Sequence, residues 1–186
     1  WSAETTVDGI TFTPMRWVAP PKTASADEGG TPNQPGGVEG CWEGAGARLG
    51  RAWMQSSRAA CCVRTWTAPH AGTVRVVSRV MKEWYRQTVG APLRARILHN
   101  TAQVWPAAGW AEIPLHDITG AMHDLTLAVA AGDAIRFVLD RQPAWDASLR
   151  LEATWTVFGP CDPTQPDVPA AELGRIPDTL TVGATT

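Results

Sequence analysis

The residues with the clearest chemical purpose are aromatics set among polar neighbours. The run Lys82-Glu83-Trp84-Tyr85-Arg86 places an indole and a phenol beside a guanidinium and a carboxylate. That mixture suits a flat, amphipathic ligand, because the rings cover apolar faces while the charged groups take hydrogen bonds. Trp105-Pro106-Ala107-Ala108-Gly109-Trp110 puts two more indoles at either end of a turn, and Trp145 lies between Ala144 and Asp146 in a loop-like stretch. The candidate binding residues are therefore Trp84, Tyr85, Arg86, Trp105, Trp110 and Trp145. The chain has 10 tryptophans in 186 residues, and most tryptophans in a β-rich protein fill its core. Trp66, Trp155 and Trp17 lie in strand-like runs and are assigned there.

Asp133, Asp140 and Asp146 have the oxygen chemistry that a calcium ion prefers. Asp140 and Asp146 are kept as candidate ligands for a structural calcium; the spacing is not that of an EF-hand, and solvated turn residues are the plainer reading. No other cofactor is expected. Catalysis by paired carboxylates would draw on Glu83, Glu112, Asp117, Asp140 and Glu152, which show no recognisable arrangement. The dipeptides His116-Asp117 and His123-Asp124 could form an acid/base or metal centre, but they read more simply as loop residues before a strand. No HExxH, GxSxG, P-loop or dinucleotide fingerprint is present. The chain is expected not to be an enzyme.

Cys41, Cys61, Cys62 and Cys161 fit no zinc-ribbon or CxxC spacing. The adjacent pair would point to opposite faces of a strand, so each could reach a different partner, Cys41 or Cys161. Disulfides, in either order, are the expected chemistry, with buried free thiols as the alternative.

The formal net charge is −2 and the arginines are scattered, which argues against nucleic acid, since neutralising phosphates needs a basic face. No apolar run approaches the roughly 20 residues of a membrane span, so no membrane partner is expected. The sequence starts at Trp1 without a leader-like segment, as a mature product or an excised module would.

The elements that must hold these residues are short strands. Cys62–Thr67, Thr73–Val80, Leu93–Asn100, Asp124–Val129, Ala134–Leu139 and Leu149–Phe158 alternate or run apolar, with Gly, Pro, Asn and Asp between them. The first 60 residues are punctuated and read mainly as irregular loops, with one short strand at Gly9–Pro14. Such a pattern predicts an all-β fold, a β-sandwich of jelly-roll type. Residues 1–160 form the module, most legible over 62–158, and 161–186 form a linker or extended tail.

Three ordered segments, Val63–Val74, His99–Pro106 and Val129–Asp140, together resemble β-sandwich accessory domains of large bacterial polysaccharide-degrading enzymes, similar to carbohydrate-binding modules. The resemblance covers about half of the chain, Cys62 to Phe158. In such domains a further Asp often follows the last-but-one strand, where Asp146 stands here. The resemblance implies a secreted or periplasmic, non-catalytic module whose partners are a polysaccharide or oligosaccharide and a catalytic domain, a glycoside hydrolase or polysaccharide lyase, in the same polypeptide. The alternative of another class is a structural spacer or protein-assembly module, in which exposed aromatics form an interface.

Overall fold

Residues Gly72–Val80 show why this sequence makes sheets. Val74, Val76 and Val80 are buried, while Thr73, Arg75, Val77 and Arg79 occupy the alternate positions, so one face of an extended chain enters a core and the other meets water. The computed structural model describes residues 1–19, 40–50, 53–81, 92–114, 117 and 119–140, together with the backbone of 153–158. Trp84, Tyr85, Arg86, Trp145, Asp146, Cys161 and the expected tail at 161–186 lie outside the described residues.

Fourteen strands are found among the described residues: Ser2–Thr6 (β1), Thr13–Pro14 (β2), Arg16–Val18 (β3), Cys41–Gly44 (β4), Ala47–Leu49 (β5), Met54–Gln55 (β6), Cys61–Thr67 (β7), Gly72–Val80 (β8), Leu93–His99 (β9), Ala102–Trp105 (β10), Ala111–Ile113 (β11), Ala121–Val129 (β12), Ala134–Leu139 (β13) and Ala153–Phe158 (β14). No helix of these residues is long and apolar enough to cross a membrane. The chain is an all-β sandwich. A seven-stranded sheet runs β10-β9-β13-β7-β1-β2, with β11 beside β10 on the same edge of β9; a three-stranded sheet runs β12-β8-β14; a four-stranded sheet runs β3-β4-β5-β6. All their pairings are antiparallel.

The main core lies between these sheets. Cys62 and Trp66 of β7, Ala95 and Ile97 of β9, and Ile135, Phe137 and Leu139 of β13 meet Val74, Val76 and Val80 of β8, with Leu49 and Met54 added from the four-stranded sheet. Each fully buried large aliphatic or Phe side chain contributes about 1.5–3 kcal/mol relative to exposure. The outer face of the large sheet holds a smaller cluster of Cys61, Val63, Leu98 and Val138, overlain by Phe12 and Trp110.

The two tight turns legible in the sequence, Ala68–Ala71 and Ala130–Asp133, do not close hairpins. They carry the chain between the large sheet and the three-stranded one, because β7 and β13 belong to the former and β8 and β12 to the latter. The crossings are stitched together: Ala68 N–H donates to Asp133 O (2.8 Å) and Gly132 N–H to Ala68 O (2.8 Å). The Asp133 carboxylate also accepts from Ala130 N–H (2.8 Å) and Asn100 Nδ2 (3.0 Å) and contacts His99 Nε2 (2.8 Å). These hydrogen bonds, that from Asn100 foremost, hold its pKa down at about 2. Asp133 is thus a structural node joining three connections.

The N-terminal third contributes more strand than its periodicity suggests: six strands of two to five residues. The strand expected at Gly9–Pro14 shrinks to Thr13–Pro14, because the Asp8 carboxylate accepts from Ile10 N–H and Thr11 N–H (2.8 Å each) and holds the intervening residues in a turn. β4 and β5 are joined by the two-residue turn Ala45-Gly46, with φ of 47° and 77°, the signature of a type I′ hairpin. Ala at such a φ is strained by the contact of its Cβ with the backbone, whereas Asn tolerates the conformation. Ala45→Asn is expected to raise stability by about 1 kcal/mol, read as a higher urea midpoint with an unchanged denaturant slope.

The expected disulfide from Cys41 to Cys61 or Cys62 is not formed: all three side chains are buried thiols. Cys62 donates to Arg48 O (3.1 Å), and burial pushes its thiol pKa up to about 12, so it behaves as a small core residue.

Candidate functional site

The four-stranded sheet brings two indoles together at the surface. Trp17 of β3 stands directly opposite Trp42 of β4, and Trp42 stands opposite Leu49 of β5, so the three side chains form one row on one face. Leu49 is buried in the main core, whereas Trp42 is 39% and Trp17 50% exposed. The row therefore runs from the core outward and ends in two large apolar rings that water still reaches. Their centroids lie 5.5 Å apart with planes inclined at 64°, an edge-to-face contact of the kind that aromatic quadrupoles favour.

Gly40 fixes the outer ring. Its φ is +78°, and a Cβ there would fall 2.5 Å from Trp17 Cζ2 and 2.9 Å from Val18 O. Gly40→Ala is expected to cost about 1–2 kcal/mol from the backbone conformation alone and to displace the Trp17 ring. A lowered Tm together with weakened ligand binding would check both parts.

Alternation puts Arg16, Glu43 and Arg48 on the opposite face of the same sheet, again as a cross-strand row. Arg48 Nε lies 3.0 Å from Glu43 Oε1. These three residues and the Gly44–Ala47 turn line a shallow groove of about 240 Å³. Because it faces away from the indoles, it does not share a ligand face with them.

The structure separates the other sequence candidates. Trp105 is half-buried, packs against the main core and contacts the ring of His123 at 4.8 Å. Trp110, also half-buried, lies over the outer cluster of the large sheet, with the Arg96 guanidinium 4.3 Å and that of Arg94 5.6 Å from its ring. Trp105 and Trp110 flank the same turn, which Gln103 braces by donating to Pro106 O (2.7 Å) and Gly109 O (2.8 Å). The turn leaves the two rings on different layers, one between the sheets and one outside. His123, expected in an exposed loop, and Asp124 lie inside β12 on opposite faces: the imidazole is buried, and the carboxylate is exposed and paired with Arg75 at 2.6 Å.

Asp140 is buried and paired with Arg94, with the Cys61 thiol 3.8 Å from Oδ1. Its carboxylate is thus engaged by a guanidinium, and among the described residues no group of three or more His, Cys, Asp or Glu side chains is arranged to hold a metal.

Sequence reasoning missed the surface role of Trp17 and did not weigh Trp42. Trp17 shares the parity of Met15, which is buried, but the chain passes between sheets from β2 to β3, and parity does not carry across. The usable signal was the hairpin: Trp42-Glu43-Gly44, a small-residue turn with a glycine, then Ala47-Arg48-Leu49, in which Glu43 and Arg48 pair across the strands.

No protein-family model and no curated protein matches the chain. Among solved structures, the chain is similar to the native structure of a family 35 carbohydrate binding module from Clostridium thermocellum, at 13% identity and a TM-score of 0.33, with 86% of this chain and 89% of that chain covered.

Proposed function

We propose that this chain is a non-catalytic carbohydrate-binding module that works outside the cytoplasm, attached to a glycoside hydrolase or polysaccharide lyase. One observation carries the reading: Trp17 and Trp42 hold two rings at the surface, side by side, on a row rooted in the core. Pyranose rings present C–H faces to such a surface and keep their hydroxyls in water, so stacking gains apolar contact without stranding polar groups. The indole N–H groups add donors. Trp84, Tyr85, Arg86 and Trp145 stay in the proposal as the alternative place for the sugar, to which binding would fall if Trp17 and Trp42 are not the platform. Trp105 and Trp110 carry less of it, since their rings are engaged with His123 and Arg96.

A platform of two rings binds weakly, in the micromolar to millimolar range, and attachment to an enzyme that acts on the same polymer raises its effective affinity. Affinity electrophoresis through gels containing plant, algal and bacterial polysaccharides, with calcium and with chelator, tests the proposal. Retardation by at least one polysaccharide class is expected. Retardation by none overturns it and leaves the spacer or assembly reading, which sedimentation would then decide. Dependence of retardation on calcium would support Asp140 and Asp146 as ion ligands.

A further inference from the structure

We infer that the indole site takes one sugar residue at a time from a solvated, twisting chain and does not lie flat on a crystalline polysaccharide. This rests on the carbohydrate-binding function proposed for the chain and narrows its ligand.

A crystalline polysaccharide offers a plane, and binding a plane by stacking requires several rings that are coplanar and spread along the surface. The geometry here differs on each count. The rings of Trp17 and Trp42 are inclined at 64°, so when one ring lies flat on a plane the other stands steeply away from it. At 5.5 Å between centroids the two are in mutual contact, and the ring whose edge meets its neighbour covers part of that neighbour's face. They make a single corner instead of two separate stacking places.

The row cannot be lengthened on its inner side, where Leu49 is 6% exposed. The other large exposed indole among the described residues, Trp1, is 44% exposed and belongs to the start of the seven-stranded sheet, packed 5.9 Å from the Phe137 ring. It does not extend the row. The cross-strand charged row of Arg16, Glu43 and Arg48 lies on the reverse face, so it supplies no continuous polar rim around a long bound ribbon.

An inclined corner does fit one pyranose, with its apolar face on one indole and its edge against the other. A chain that rotates between consecutive residues leaves such a corner without colliding with the surface, whereas a flat ribbon locked in a crystal does not enter it. Because each contact involves one residue, affinity for a soluble ligand should level off at short chain length: a disaccharide and a hexasaccharide of the same sugar should bind within about threefold once statistical repeats are allowed for.

The test uses the full chain against two kinds of probe: soluble xylan, glucomannan and mixed-linkage glucan in gels, and microcrystalline cellulose and chitin in sedimentation pull-down. The expected result is retardation by a soluble chain, weakened about tenfold in Trp42→Ala and lost when Trp17 and Trp42 are both replaced by alanine, and no depletion by either crystalline solid. Depletion by a crystalline solid that Trp42→Ala abolishes overturns this inference while leaving the carbohydrate-binding function standing. Binding to neither kind of probe overturns both. Retardation that survives in a folded protein with both Trp17→Ala and Trp42→Ala shows that the sugar binds elsewhere and also overturns the inference.

Discussion

Replacing Trp17 and Trp42 together by alanine is expected to abolish retardation in polysaccharide gels, and each single replacement is expected to weaken binding about tenfold, corresponding to ~1–1.5 kcal/mol per ring. The double variant keeps its fold, because both rings lie at the solvent end of their row and the core end is held by Leu49. Some loss of stability accompanies the change, since each indole is still about half covered; the control is a far-ultraviolet spectrum and a cooperative melt like those of the parent. Trp42→Phe should restore part of the affinity, since it keeps a ring at the corner, whereas a merely structural role for Trp42 would restore stability and leave binding unchanged. If the double variant, still folded, is retarded as much as the parent, the platform is not where the ligand sits.

The second large effect is on stability and comes from His123. Its side chain is 5% exposed and faces the ring of Trp105 at 4.8 Å. Both ring nitrogens, Nδ1 and Nε2, are buried and have no hydrogen-bond partner among the described residues. Burial lowers its pKa from 6.5 to about 4, against a smaller opposing effect of the neighbouring Asp124 carboxylate. Above pH 6.5 the ring is neutral in both folded and unfolded chains and its titration costs nothing. As pH falls from 6.5 to about 4, the unfolded chain takes up a proton that the folded one refuses. Stability should therefore drop by about 3 kcal/mol across that window.

The carboxylates held low, Asp8 and Asp133 at about 2, act in a different range. Their contribution is present above the ordinary Asp pKa of 3.8 and is lost as pH falls toward 2, so the His123 effect is seen first. His123→Phe should flatten the profile between pH 6.5 and 4. It should also stabilise the protein at pH 7.5, since it removes two unsatisfied buried polar atoms, which cost on the order of 1–3 kcal/mol each. Urea denaturation at pH 7.5 and 4.5 on both proteins measures this. An equal loss for parent and variant would show that His123 is not the group responsible.

The legibility of the fold in the sequence varied with the kind of residue. β8 and β9 announce themselves because apolar positions recur every second residue, so strand identity and buried face could both be read; β13, apolar on both faces, shows itself as a short apolar run between Asp133 and Asp140. The sheet to which the chain goes next could not. A short turn between two alternating runs looks the same whether the second run returns beside the first or crosses to the opposite sheet, and the hydrogen bonds between Ala68 and residues 132–133 that mark the crossing are long-range. The site suffered from the same blindness. Period two tells which residues share a face but not which face is wet, and Trp17 was given to the core because its run looked like any other strand. Trp105 and Trp110 sit close in sequence at one turn, yet the bend between β10 and β11 sends one ring inward and one outward. Their neighbours, Pro106 to Gly109, reveal the turn and not the direction of the rings.

The indoles also differ in how firmly they are held. Trp17 rides on β3, three residues long and joined among the described strands to β4 alone; Trp42 rides on β4, which has β5 on its other side. A polymer dragged by flow, or hauled by an enzyme working along it, would apply force through both rings at once. The short outer strand would peel first, one hydrogen bond after another, while the inner strand keeps its pairing with β5. The grip would then yield by stages, with Trp17 swinging free before Trp42 and able to settle back once the load passes, like a ratchet pawl that lifts without breaking the wheel.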